Sequence, residues 1–176
     1  MTTQIKQFEK QQNLPIYWFN KSSDLRASAA ALWISREEKQ SNFIVGECGL
    51  GQGFIMAAAV GPVFWMLCGM SLELLYKAII VAKGGKAEPS HDLVKLVKAA
   101  GIRINKDTEH ILKILTESII WYGRYPVPKS HEPMEKLLDH IEEYFFEPAQ
   151  PGKFKRRKSN KFIRWDSFNR LWLEGN

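Results

Sequence analysis

The sequence predicts an all-α protein, an up-and-down bundle of about five helices with an N-terminal arm and a basic C-terminal extension. Apolar residues recur at the 3.6-residue period of amphipathic helices along most of the 176 residues, and glycine or proline follows where a helix would end. The only strand candidate is the short run Phe43-Ile44-Val45. Because a chain of this length forms one core, we expect an arm at residues 1–20, a bundle at 21–148 and a basic linker with a final helix at 149–176.

A glycine-rich turn separates the first two helices. Ser22 or Ser23 can cap the first helix, because a serine hydroxyl accepts a hydrogen bond from a free N–H group of the first turn. The apolar stripe of this helix continues to about Phe43. The second helix runs from about Phe54 to Lys83 and ends at a pair of glycines, as helix C-termini commonly do. Its length and apolar composition predict that it forms the centre of the bundle.

The third and fourth helices are short and amphipathic. Ser90 is placed to cap the third, which covers residues 91–100 and stops at a glycine. Asp107 or Thr108 opens the fourth, which keeps its apolar period as far as Gly123. Two prolines follow within five residues and forbid its continuation.

The fifth helix and a terminal helix complete the predicted elements. The fifth begins at Glu132-Pro133, has an apolar and an acidic side, and ends before Pro148. Residues 149–152 read as a linker, and aromatic residues at helical spacing between Phe162 and Trp172 predict a last short helix that docks on the bundle.

The second helix also raises the question of a membrane span. No residue from Cys48 to Leu72 is charged, and residues 54–72 are long and apolar enough to cross a bilayer. The helical pattern continues past this window through Glu73 and Lys77, which is typical of a long core helix. We therefore expect no membrane contact, and a transmembrane helix at 54–72 is the alternative.

Cysteine and histidine usage indicates a cytoplasmic protein without a metal or cofactor. The two cysteines are far apart in apolar surroundings, and residues 1–12 lack the apolar run of a signal peptide, so we expect reduced thiols in the cytoplasm. The four histidines have no metal-ligand spacing. The glycine-rich turn lacks the Gly-Lys-Ser/Thr of a phosphate-binding loop, and no acidic residue follows at the distance of a dinucleotide site.

The net charge of +6 is confined to one segment. Residues 1–151 carry 17 Lys or Arg and 17 Asp or Glu, so they are neutral, whereas residues 152–165 carry seven cations and no anion. Cations interleaved with aromatic residues suit phosphates and stacked bases, and a solvated linker is the alternative. The candidate nucleic-acid-binding residues are Lys153, Lys155, Arg156, Arg157, Lys158, Lys161 and Arg164.

Three motifs resemble those of HEPN domains. They are Leu-Glu-Leu-Leu-Tyr-Lys-Ala at 72–78, His-Asp-Leu at 91–93 and Arg-Tyr-Pro at 124–126, within a match that covers about residues 54–146. The resemblance implies a small helical bundle, a homodimer, and a role in defence or toxin–antitoxin systems or beside nucleotidyltransferases. Many members of the family are metal-independent ribonucleases that use an Arg and a His four to six residues apart.

Arg124 and His131 fit that spacing, with six residues between them. The resemblance implies that Arg124 would steady a phosphate and His131 would move protons, chemistry that both side chains can perform. The alternative is structural: Arg124 ties down carbonyl groups at the end of its helix, and His131 caps the next helix. These two residues are the candidate catalytic pair.

Three functions therefore follow from the sequence. The first is a helical module that binds RNA or a nucleotide-bearing partner without strong catalysis. The second is a metal-independent endoribonuclease that uses Arg124 and His131 across a dimer interface, and the third is a purely structural helical adaptor.

Overall fold

The computed structural model describes residues 3–148 and 154–175, and it confirms the all-α prediction. Across these ranges there are eight α-helices and no β-strand. The number exceeds the five bundle helices and one terminal helix that were expected, because the first bundle helix is divided in two and the predicted N-terminal arm itself contains a helix, α1. The predicted linker at 149–152 lies outside the described residues. The helices are α1 Thr3–Asn13, α2 Pro15–Ile34, α3 Glu38–Glu47, α4 Met56–Ala82, α5 Leu93–Ala99, α6 Lys106–Glu117, α7 Glu132–Phe145 and α8 Trp165–Glu174.

The N-terminal half differs from the prediction in where helices begin and end. Helix α2 begins at Pro15 and not at Ser22 or Ser23. Proline suits the first helical position because it lacks a backbone N–H group, and an N–H group at that position would have no partner within the helix. Residues 15–20 of the predicted arm are therefore helical. Ser22 is instead a buried residue in the middle of α2.

The expected single helix to Phe43 is wrong, and so is the expected strand at Phe43-Ile44-Val45, which lies inside α3. Helix α2 ends at Ile34, where the Ser35 hydroxyl donates a hydrogen bond of 2.7 Å to the Leu32 carbonyl oxygen. A side chain that bonds to the local backbone in this way offers an alternative to the next helical hydrogen bond. The chain consequently turns before α3 begins.

Helix α4 forms the centre of the core, as predicted. It packs against α2, α5, α6, the turn after α6 and α8, and it ends before Gly84, which has a positive φ of 81°. Pro62 lies inside this helix. Among the described residues, α4 is also the one helix whose length and composition would suffice to cross a bilayer. Its fully buried side chains include Phe64, Cys68 and Leu72.

The caps of α5 and α6 differ from the predicted ones by two or three residues. Asp92, not Ser90, caps α5, since its carboxylate accepts a hydrogen bond of 2.9 Å from the Lys95 backbone N–H group. Asn105 caps α6 through a bond of 2.8 Å from the Thr108 N–H group, so neither Asp107 nor Thr108 is the cap. Both caps are side chains of the type that helix N-termini favour.

The remaining boundaries follow the prediction. Helix α6 continues into one π-helical turn, Ser118–Tyr122, and stops at Gly123. Helix α7 carries Pro133 in its first turn and ends before Pro148, and α8 contains the predicted terminal aromatic stripe.

Two glycines of α4 should respond to alanine in opposite directions. A Cβ atom on Gly69 would lie 2.9 Å from both the Leu115 carbonyl oxygen and the Ile119 Cγ1 atom, whereas one on Gly61 would meet nothing within 4 Å. We expect Gly69→Ala to lower the free energy of unfolding by about 1–3 kcal/mol through overpacking. Gly61→Ala should raise it by about 0.5–1 kcal/mol, because alanine is the better helix former. Urea denaturation measures both, and changes of the same sign would contradict the packing of α4 on α6.

Candidate nucleic-acid interface

A cleft of about 500 Å³ opens where the end of α2, the first half of α4, the end of α7 and residues 157–164 meet. Its lining combines aromatic rings with positive charge, and none of the described residues that line it is acidic. The aromatic part comprises Trp33, Phe64, Trp65, Phe145, Phe146 and Phe162, and the charged part comprises Arg36, Arg157 and Arg164.

Backbone hydrogen bonds hold the basic segment at the rim of this cleft. The Glu147 N–H group donates to the Arg156 carbonyl oxygen over 2.8 Å, and the Lys158 N–H group donates to the Phe145 carbonyl oxygen over 2.7 Å. These bonds form a short antiparallel bridge between Phe146 and Arg157. The segment is therefore pinned to the C-terminal end of α7, and it is not a solvated linker at this point.

Each of the three cleft arginines lies over an aromatic ring. The Arg36 Cζ atom is 4.2 Å from the Trp33 ring centroid, and the Arg164 Cζ atom is 4.0 Å from that of Phe162. Arg157 is 5.2 Å from the Phe162 centroid and 5.5 Å from the Phe145 centroid. Stacking of this kind holds a guanidinium group in place by cation–π attraction while its N–H edges stay available to a ligand.

The arginines also lack carboxylate partners within the described part of the chain. None of Arg36, Arg157 and Arg164 takes part in an ion pair with a described Asp or Glu, and all three side chains are exposed. A cleft whose described lining contains three arginines without a described carboxylate partner, and no acidic side chain, attracts anions.

The lysines of the predicted interface are used differently. Lys155 pairs with Glu142 and Lys161 with Asp107, while the Lys158 ammonium group donates to the Glu143 carbonyl oxygen over 2.7 Å. The hydrogen bond from Lys161 holds the pKa of the Asp107 carboxyl below its ordinary value.

The seven predicted binding residues thus separate into groups. The three described lysines fasten the segment to α6 and α7, and Arg157 and Arg164 face the cleft. Arg156 is exposed beside the cleft, and Lys153 lies outside the described residues.

The sequence did not reveal the part of the cleft that comes from α2 and α4. Arg36, Trp33 and Trp65 lie more than 90 residues before the basic segment, so only tertiary packing brings them to it. The one local signal is the spacing of Trp33 and Arg36, which are three residues apart; Trp33 lies in the last turn of α2 and Arg36 in the turn that follows it.

Neither Arg124 nor His131 lines this cleft. The Arg124 guanidinium group donates to the Ile120 carbonyl oxygen at the end of the π-helical turn and lies 5.5 Å from the Tyr125 ring centroid. His131 occupies the N-cap position of α7 with a side chain that is 76% exposed, and its Nδ1 atom is 3.7 Å from a Glu132 carboxylate oxygen. No hydrogen bond or ion pair within the described ranges joins the two residues. Their catalytic role stays a prediction.

Another polar cluster lies in the second half of α4. The buried Glu73 carboxylate accepts a bond of 2.6 Å from the Lys77 ammonium group and lies 2.9 Å from the Nδ1 atom of His91, which is largely exposed. The Lys77 Nζ atom is also 5.9 Å from the centroid of the Trp18 ring. The motifs at 72–78 and 91–93 therefore meet through a buried ion pair and one histidine.

Two further histidines lie between α6 and α7. The Nδ1 atom of His110 is 3.3 Å from a Glu143 carboxylate oxygen without forming a hydrogen bond. Burial lowers the pKa of His140, and the nearby Lys113 acts in the same direction. No cluster of three or more His, Cys, Asp or Glu side chains in the described ranges is arranged to hold a metal ion.

Neither a family model, nor a curated protein, nor a solved structure matches this chain. The resemblance to HEPN domains consequently stays a prediction that rests on the three motifs. The cleft and its arginines are the features from which a function can be argued.

Proposed function

We propose that the protein is a helical RNA-binding module whose interface is the arginine-lined cleft at the C-terminal end of α7. The observation that supports this proposal is the set of three stacked arginines, each without a carboxylate partner in the described residues, around an aromatic cleft without acidic groups. The homodimer, the defence or toxin–antitoxin context and the cytoplasmic location implied by the sequence stay predictions.

The chemistry of the cleft suits a nucleic acid on two counts. A guanidinium group can grip a phosphate through two parallel hydrogen bonds and keeps its charge at all physiological pH values. Aromatic side chains stack on bases regardless of sequence, and each stacked base contributes about 1–3 kcal/mol. A ligand that carries both phosphates and bases can therefore contact both the arginines and the aromatic rings of the cleft.

Matched charge variants test the proposal. Arg157→Ala/Arg164→Ala and Lys155→Ala/Lys161→Ala each remove two positive charges, but only the first pair faces the cleft. We expect the arginine variant to weaken binding of a short labelled single-stranded RNA at least about tenfold, and the lysine variant to weaken it less than about threefold. Fluorescence anisotropy measures the affinities, and thermal unfolding of each variant verifies that it is folded.

Salt gives a second readout of the same interface. Wild-type affinity should fall steeply between about 50 and about 200 mM salt, and the slope of log K against log salt should decrease by about 1–2 in the arginine variant. Equal losses in the two charge variants, or an affinity that salt does not change, would contradict the proposed interface. The second outcome would favour the adaptor function.

The same samples address catalysis. We propose that the module has no strong catalytic activity, so the labelled RNA should stay intact during incubation in EDTA. Cleavage by the wild type that is lost in Arg124→Ala and His131→Ala would instead establish the ribonuclease function.

A further inference from the structure

We infer that the cleft seats one unpaired nucleotide, with the base on the aromatic wall and the adjoining phosphates on Arg36, Arg157 and Arg164. This inference rests on the proposed RNA binding and adds to it a specific requirement, namely that the ligand is single-stranded where it enters the cleft. The size, the walls and the charge distribution of the cleft each support it.

The volume fits one nucleotide and excludes a duplex. Small-ligand sites typically measure about 300–1,000 Å³, and the cleft of about 500 Å³ lies in this range. In an A-form RNA duplex the bases are paired and stacked inside the helix, so proteins recognise the duplex by its backbone and shape. A base can enter a cleft of this kind only when it is unpaired and turned away from its neighbours.

The aromatic lining provides a rigid wall for such a base. The rings of Trp65 and Phe145 are nearly parallel, with an angle of 12° between their planes and 6.4 Å between their centroids. Phe145 is 6% exposed and Phe64 is 1% exposed, so these two lining residues belong to the hydrophobic core. Because the core already holds them in place, ligand binding does not need to order them. Trp33 and Trp65 are only partly buried, which leaves ring surface that a base can cover.

The charges come from two distant parts of the chain. Arg36 follows α2, whereas Arg157 and Arg164 belong to the segment that leads into α8. Their stacking on Trp33 and Phe162 places the guanidinium groups next to the rings that would contact the base. Base stacking and phosphate binding are therefore combined within one cleft, as in single-strand-binding proteins.

Three probes of the full chain separate base seating from simple charge attraction. They are a short labelled single-stranded RNA, the same sequence annealed into a duplex, and a strand of abasic sugar phosphates of equal length. We expect the duplex and the abasic strand each to bind about tenfold more weakly than the single strand. This factor corresponds to the loss of one stacked base, whose contribution of about 1–3 kcal/mol would lie near the lower end of that range. Free nucleoside monophosphate, which is one nucleotide outside an RNA strand, should displace the single strand at high concentration. Inorganic phosphate, which has no base, should not.

Tryptophan fluorescence locates the base. The single strand should quench the emission of the wild type, and Trp65→Phe or Trp33→Phe should remove a large part of the quenching. Trp18→Phe serves as the matched control, because Trp18 does not line the cleft, and it should keep the quenching.

Equal, salt-sensitive binding of all three probes would overturn the seated nucleotide and leave RNA binding in place. Quenching that survives both cleft tryptophan substitutions would overturn it as well. If none of the probes binds, the proposed function itself fails.

Discussion

Lys77→Met is expected to lower the free energy of unfolding by about 3–5 kcal/mol, the range that applies when one partner of a buried ion pair is removed. The side chains of Lys77 and Glu73 are only 7% and 8% exposed, and their charged groups are 2.6 Å apart. Methionine has a similar shape, so the substitution removes a charge with little change in packing. The Glu73 carboxylate would then be buried with His91 as its one remaining partner among the described ion pairs.

A double variant distinguishes charge from packing. Glu73→Gln/Lys77→Met removes both charges, and replacing a buried pair by uncharged groups is often close to neutral. We therefore expect it to be more stable than Lys77→Met, with a coupling energy of about 1–3 kcal/mol in a double-mutant cycle measured by urea denaturation. Lys95→Met is the exposed control, since its ion pair with Glu88 lies on the surface, and it should leave stability close to that of the wild type. A Lys77→Met variant as stable as this control would mean that the Glu73 carboxylate is not buried as described.

Ser22→Ala is the second large effect, with an expected loss of about 2–3 kcal/mol. The Ser22 hydroxyl is fully buried, donates to the Ser71 carbonyl oxygen over 2.7 Å and accepts from the Trp172 indole N–H group over 2.9 Å. The Ser71 hydroxyl donates in return to the Ser22 carbonyl oxygen over 2.8 Å. Alanine leaves the indole N–H group buried without this acceptor, and an unsatisfied buried donor costs about 1–3 kcal/mol.

The control for Ser22 is another serine of the same helix. The exposed Ser28 hydroxyl bonds only to the Asp24 carbonyl oxygen of its own helix, so Ser28→Ala should be within about 0.5 kcal/mol of the wild type. In the background of Trp172→Phe, which lacks the indole N–H group, Ser22→Ala should cost clearly less than it does in the wild type. Additive losses would show that the two side chains do not share this bond.

The elements that sequence predicted well are those with strong local signals. The apolar run and terminal glycines defined α4, and the prolines after Gly123 and at 133 defined the end of the π-helical turn and the start of α7. The wrong predictions concern the first bundle helix and the short strand. A serine hydroxyl and a turn divide the expected first helix. The apolar run of three β-favouring residues lies in α3, because the described residues form no strand with which it could pair.

The candidate site was predictable only in part. Composition identified the basic segment, but it treated seven cations as equivalent, whereas the fold uses the described lysines for ion pairs and carbonyl contacts and leaves the arginines at the cleft. Which cation meets an acidic neighbour depends on where α6 and α7 place Asp107 and Glu142. The contribution of Arg36, Trp33 and Trp65 depends on contacts between distant segments, which periodicity and spacing do not contain.

The bond between Trp172 and Ser22 joins the last helix to the core, and this helix directly follows the segment that supplies two of the three cleft arginines. If the cleft binds RNA as proposed, RNA binding and docking of the C-terminal helix are linked equilibria: a ligand that needs the docked helix stabilises the docked state, and a molecule with the helix undocked lacks a complete cleft. The apparent dissociation constant equals the intrinsic one divided by the docked fraction. On the proposed function we therefore expect Ser22→Ala, although Ser22 does not line the cleft, to weaken binding by the factor by which it depletes the docked state.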